Sequence, residues 1–395
     1  MTIRRAAVSP SLGPVLVALA AVLALASCAS AQLAISANDN KVVLVNGATT
    51  VVRNPQPDTV TLIDLGASPP RVLAEVANVP NSVDGPPLGV TITPDESLAL
   101  VTSPLRIDPG DPARQIFDNR MSVIDLKASP PAVIATLETG RRPAGVSINR
   151  QGTLALVANR GDGTVSVFGI QGQRVTPLGS VKVGDEKSQP SHVAITPDGR
   201  RALVTRDGDH RISVLSIDGT RVEYAKRDMA MGLRPYAIDV SADGSLAVVG
   251  NQGGGFGDSD TVSVIDLRAA PPRVVETITV GQRPEGVKLS PDGRVVAVIV
   301  MNGSERPRES PFYNDAGRLV LLRVDGLRLT RLAEAPIGHW PQGVALSADG
   351  RTILVGNMVE RNVQVFRWDG ASLVDTQLRI NVNGGSASLR TADKP

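Results

Sequence analysis

An all-β, seven-bladed β-propeller is the fold this sequence predicts, on three observations. A 17-residue phrase occurs six times; each repeat unit that it opens breaks into four strand-length segments; and the composition is rich in turn formers, with 38 Gly and 29 Pro among 395 residues. The copies begin at Pro87 (PLGVTITPDESLALVTS), Pro143, Pro190, Pro235, Pro284 and Pro341, spaced 56, 47, 45, 49 and 57 residues apart. Self-similarity at such a period marks a repeat architecture. A seventh copy, lacking the Pro, is read at Leu33–Asn46 (LAISANDNKVVLVN).

Within each copy the first segment alternates, as in GVSI, and suits a half-buried strand. A tight turn follows, usually Asp-Gly (Asp198-Gly199, Asp243-Gly244, Asp292-Gly293, Asp349-Gly350), which supplies the positive φ a hairpin demands. The second segment is an apolar run such as LALVAN, the third a run such as TVSVFGI or RISVLSI, and the fourth RVLAEVAN or RVVETITV. One four-stranded sheet cannot bury both faces, whereas a ring of seven packs blade on blade. Aromatic residues are only 3% of the chain, so Val, Leu, Ile and Ala must fill the interior.

The chain is expected to divide into an export segment (1–31), the propeller (32–383) and a C-terminal tail (384–395). Arg4 and Arg5 precede an apolar run from Gly13 to Ala26, too short to cross a bilayer comfortably. Cleavage before Gln32, after ASA, is one reading. The other is lipidation of Cys28, because LASC (Leu25–Cys28) resembles a bacterial lipobox. Cys28 is the only cysteine, so no internal disulfide forms. The expected location is the periplasm, or the membrane surface if Cys28 carries a lipid. With the innermost strand of copy one placed at Leu33, such a lipid would sit near the channel mouth. Removing Arg4 and Arg5 leaves 39 basic against 39 acidic residues, which gives no bulk nucleic-acid footprint.

The phrase P-x-G-V-x-x-S-x-D-G-x-x-x-V-x-N followed by V-S-V-I-D resembles the YVTN-repeat, lactonase-like seven-bladed propellers, grouped with the propellers of cytochrome d1 and methylamine dehydrogenase heavy chains. The second strand here ends in LVAN, VVGN or LVGN rather than Tyr-Val-Thr-Asn. The resemblance implies the fold but leaves function open, because such propellers serve as enzymes, electron-transfer subunits and proteins without assigned activity.

Function is expected where the copies disagree. The Asp-Gly turns are nearly uniform, whereas the connections between strands two and three range from RGDG to the long stretches 47–57, 104–119, 252–260 and 302–317. Loops on a rigid frame tolerate such growth and carry functional groups. They share one face with the segments entering each innermost strand, so the residues flanking each Pro should ring the channel there. Arg142, Gln189, His192, Arg234, Tyr236, Arg283, Glu285 and Trp340 are the candidate ligand-binding residues. Three arginines at one funnel would attract a carboxylate or phosphate, which a guanidinium grips with two hydrogen bonds. Alternatively they pair with Glu285 and neighbouring aspartates.

No confident catalytic set is present. There is no Cys-x-x-Cys-His haem site, no phosphate-cradling glycine motif before a helix, and the three histidines (His192, His210, His339) are scattered over three copies. No cofactor or metal is expected. The leading reading is an exported, monomeric binding or scaffold module that holds a protein partner or small anionic ligand on the variable-loop face. The alternative is a lactonase-like hydrolase, with Glu285 or His192 as base and a funnel arginine on the oxyanion. A subunit of a periplasmic redox complex is a remote third.

Overall fold

Seven four-stranded antiparallel sheets recur along the chain in the computed structural model, which describes residues 1–2 and 32–394. Apart from residues 1–2, the stretch expected to be an export segment lies outside the described residues, and so does Cys28. Blade 3 shows the plan: Pro143–Ile148 lies innermost, followed outward by Leu154–Asn159, Thr164–Gln171 and Arg174–Lys182. Blades 2 and 4 to 7 repeat this order, with innermost strands Val90–Ile92, Pro190–Ile195, Pro235–Val240, Pro284–Leu289 and Pro341–Leu346. Among the described residues there is no helix.

Burial confirms the blade-on-blade logic. Seven apolar clusters each draw on two neighbouring blades, the last two joining blade 7 to blade 1 and blade 1 to blade 2. Phe168, 1% exposed, fills the seam between blades 2 and 3 among Leu98, Leu100 and Met121. Truncating it to alanine should remove its burial and leave a void, so Phe168→Ala is expected to cost about 3–5 kcal/mol in denaturant unfolding. An unchanged midpoint would show that the seam collapses around the gap.

The turns follow their chemistry. Gly199, Gly244, Gly293 and Gly350 all sit at φ near +70°, where a Cβ is disfavoured. Blade 2 places Glu96 in the same left-handed conformation (φ 55°), and its carboxylate accepts the Leu33 N–H at 3.0 Å. The Asn that ends strand two ties it to strand three: Asn159 Nδ2 donates to Thr164 and Ser166 at 2.9 Å, and Asn251 Nδ2 to Thr261 at 3.0 Å and Ser263 at 2.9 Å.

That same Asn corrects the reading of copy one. Asn38, not Asn46, donates to Thr59 and Thr61, so Leu33–Asp39 is the second strand of blade 1 rather than its innermost. The innermost strand is Gly385–Thr391, pairing Ala34 with Thr391 and Asp39 with Gly385. Residues 384–395, expected as a tail beyond the propeller, therefore supply the strand that closes the ring. Leu33 starts at the Asp-Gly end of the blade, away from the long loops, so the expected proximity of Cys28 to the variable-loop mouth loses its basis.

The stretch after Asn38 forms a separate hairpin, Val42–Val45 with Ala48–Val51. The 104–119 excursion is also no irregular loop. Leu98–Asp108 and Asp111–Asp125 run on as a long two-stranded ribbon beyond the blade.

Candidate active site at the variable-loop end of the channel

Five of the residues that precede an innermost-strand Pro hold left-handed backbone: Arg142, Gln189, Arg234, Arg283 and Trp340, with φ between 46° and 57°. Such a conformation is uncommon outside glycine and needs support. Here each carbonyl accepts the N–H of the residue that follows strand two in the same blade. Arg160 donates to Arg142 O at 3.0 Å, Gln252 to Arg234 O at 2.9 Å and Met301 to Arg283 O at 3.0 Å, while Asp207 and Met358 reach Gln189 O and Trp340 O at 3.3 Å. This clasp, repeated blade by blade, sets Arg160, Asp207 and Gln252 among the channel residues.

The three expected arginines each face a carboxylate at the mouth. Arg142 grips Asp84 with two hydrogen bonds of 2.7 and 2.8 Å and lies 5.2 Å from the Phe117 ring centroid. Arg234 faces Asp207 at 3.5 Å, and Arg283 faces Glu305 at 3.3 Å. Asp207 is shared, because it also pairs with Arg160 at 3.0 Å.

Arg160 is a buried cation at this end. Its guanidinium donates to Ser191 Oγ, to Gln189 Oε1 at 2.7 Å and to Asp207 Oδ2 at 3.1 Å, and lies 5.7 Å from the Tyr236 ring centroid. Burial pulls its pKa down, but the charges of Asp207, Tyr236 and Asp84 together with the Asp207 hydrogen bond outweigh that and hold it above its usual value. Burial and the Glu285 charge push the Tyr236 phenol well up, so it stays a hydrogen-bond donor at neutral pH.

Glu285 is 2% exposed and accepts from the amides of Gln252 and Gln342, the latter at 3.3 Å. Burial pushes its pKa up to about 7 against the opposing pull of Arg283 and the two amides. Beside it, Gln252 Oε1, Arg283 Nε, Glu305 Oε2 and Gln342 Oε1 are buried without a protein partner, whereas buried polar groups are ordinarily satisfied.

Trp340 and His192 sit elsewhere. Trp340 packs into an apolar cluster with Val42, Met301, Met358 and Ala387, under the added hairpin, rather than offering a stacking surface. His192 points away from Ser191: its ring approaches Ser147 Oγ at 3.4 Å and lines a cavity at the Asp-Gly end. It stands where other blades have Gly145, Gly286 or Gly343, and a Cβ at Gly145 would collide with its ring. His210 Nδ1 accepts from Arg234 N at 3.2 Å, while His339 Nδ1 meets Glu360 at 2.7 Å. Among the described residues no group of three His, Cys, Asp or Glu could hold a metal.

Sequence reasoning missed Asp84, Arg160, Asp207 and Gln252. The available signal was the residue after strand two, which differs sharply between copies (Arg160, Asp207, Gln252, Met301, Met358).

The fold is a seven-bladed β-propeller, and residues 121–230 match the family described as "Lactonase, 7-bladed beta-propeller". Among solved structures the chain is similar to a putative 6-phosphogluconolactonase from Bacteroides fragilis, at 18% identity over 93% of this chain and 99% of that one, with a TM-score of 0.69. It is also similar to the Pseudomonas aeruginosa periplasmic gluconolactonase PpgL, at 18% identity over 92% and 100%, with a TM-score of 0.65. Kuenenia stuttgartiensis hydrazine synthase shares 21% identity over 78% and 90%, with a TM-score of 0.60. At these identities the likeness is one of fold. No curated protein sequence matches the chain.

Proposed function

We propose that the protein hydrolyses a small sugar lactone at the variable-loop end of its channel. The observation that carries this reading is Glu285: a buried carboxylate with a pKa near 7, held by two glutamine amides beside unpartnered polar atoms. A general base works best when its pKa lies near the working pH. Support also comes from the family match over residues 121–230 and from gluconolactonase-like neighbours.

In this mechanism the Glu285 carboxylate takes a proton from water as the oxygen adds to the lactone carbonyl. The carbonyl oxygen becomes an oxyanion facing the Arg160 guanidinium and the Tyr236 hydroxyl, donors fixed before the charge develops. Collapse breaks the bond to the ring oxygen, which takes the proton back from Glu285. The product is a hydroxy acid, which ionises to its carboxylate.

An unphosphorylated aldonolactone fits better than a sugar-phosphate lactone. Arg142, Arg234 and Arg283 already face carboxylates, leaving none of these three free for a phosphate dianion. The expected export segment points the same way. A panel of aldonolactones followed by acid release should show turnover above spontaneous hydrolysis; no rate with any member would remove this reading.

A second reading, attachment of a protein partner, rests on exposed apolar side chains on the same face. Phe256 is 76% exposed, with Leu233, Phe117 and Phe312 each more than two-fifths exposed. Aromatic side chains left in water on loops are the type that anchor interfaces.

A further inference from the structure

The Asp-Gly end of the channel holds a second polar site that the lactonase mechanism does not use. A cavity of about 300 Å³ opens there, the lower end of the range for small-molecule sites. Arg150 and Lys394 stand on its wall, and three further charges come from one position of the innermost strand. That position carries Ser147, Ala194 and Ala345 in three blades but Asp239, Lys288 and Arg390 in three others.

The two cations converge on one carboxylate from the segment after the closing strand. Lys288 Nζ lies 2.8 Å from Asp393 Oδ1, and Arg390 Nη2 donates to Asp393 Oδ2 at 2.6 Å. Lys288 also meets Asp239 at 3.3 Å, and Arg390 Nη1 donates to Val146 O at 2.8 Å. The Lys288 and Arg390 side chains are 16% and 4% exposed, whereas that of Asp393 is 32% exposed. Removing Asp393 would leave two shielded cations against Asp239 alone. The remaining wall includes His192, 2% exposed, whose Nδ1 has no hydrogen-bond partner. Burial and the Arg390 charge hold that imidazole well below its usual pKa, so it adds no positive charge to the wall at neutral pH. Ile148, Ile195, Ile238 and Leu346 add apolar wall.

A partly buried Lys288 and a buried Arg390, closed by a carboxylate just after the closing strand, have the form of a ligand site filled from within. Asp393 follows the strand that ends at Thr391, so the ring keeps its closing pairs without it. We propose that this mouth of the channel binds a small free carboxylate, and that Asp393 occupies it as a tethered substitute. A short tether gives an internal group an effective concentration on the order of millimolar, so a free ligand competes only when abundant or when the tail lifts.

Calorimetric titration of the full chain with sodium gluconate near neutral pH tests this. Asp393→Ala is expected to bind gluconate at least tenfold more tightly than wild type, and adding Lys288→Met should reverse the gain. Asp393→Asn, which keeps the side-chain size, serves the same purpose if the alanine variant does not fold. Equal affinity in wild type and both Asp393 variants would overturn the proposal. So would a gain that survives Lys288→Met, since the ligand would then be bound elsewhere, including beside Glu285.

Discussion

A chain that stops at Gly384 is expected to lose its cooperative melt and become susceptible to protease throughout. The deleted strand, Gly385–Thr391, is buried at all seven positions and pairs along Ala34–Asp39. Its Leu389 belongs to the cluster that joins blade 7 to blade 1. Losing about six backbone hydrogen bonds at ~1 kcal/mol each, together with the burial of Leu389 and Ala387 at about 2–3 kcal/mol in all, approaches the entire stability of a typical domain. An opened ring also presents an unpaired strand edge, a template for aggregation. Removing only residues 392–395 should leave the melt cooperative. Circular dichroism melts of the two truncations make the comparison, and a normal melt for the chain ending at Gly384 would mean the ring does not depend on its closing strand.

Glu285→Gln should separate activity from stability in opposite directions. Turnover is expected to fall by about 10²–10⁴-fold, the usual contribution of a positioned general base. Stability follows from the sign of the shift. The native pKa, about 7, lies above the reference 4.5, so the fold favours the neutral carboxyl. That advantage is present below 4.5 and is lost as pH rises through about 7. Above it, keeping the ionised group buried costs up to about 3 kcal/mol. A neutral glutamine avoids this, with the Gln252 and Gln342 amides free to turn their unpartnered oxygens toward it. The variant should therefore melt a few degrees above wild type at pH 8.5 and close to it at pH 5. A variant less stable than wild type at pH 8.5 would show that the carboxylate is structurally required.

The fold was legible because its period is carried by local chemistry: Pro before the innermost strand, Asp-Gly after it, and Asn at the end of strand two. Blade 1 escaped that reading because two apolar runs, LAISAND and KVVLVN, compete for the second strand, and its true innermost strand lies at the other end of the chain without Pro or Asp-Gly. Residues 104–119 read as a loop because their Pro and charged residues disfavour strands locally, whereas pairing across the ribbon overrides that preference. At the candidate site, the Pro register placed Glu285, Gln189 and Tyr236 at the variable-loop end. Pairing of the arginines was not legible, because Asp84, Asp207 and Glu305 lie 58, 27 and 22 residues from their partners. The face on which His192 lies was set by a missing side chain next door, at Gly145.

The most direct test of the proposed chemistry is the pH dependence of kcat/KM for glucono-1,5-lactone hydrolysis by the wild-type protein, corrected for spontaneous opening. A buried Glu285 acting as base predicts a rate that climbs with pH and levels off above an inflection near 7. A profile flat across that interval, or no rate above the uncatalysed reaction, would contradict it.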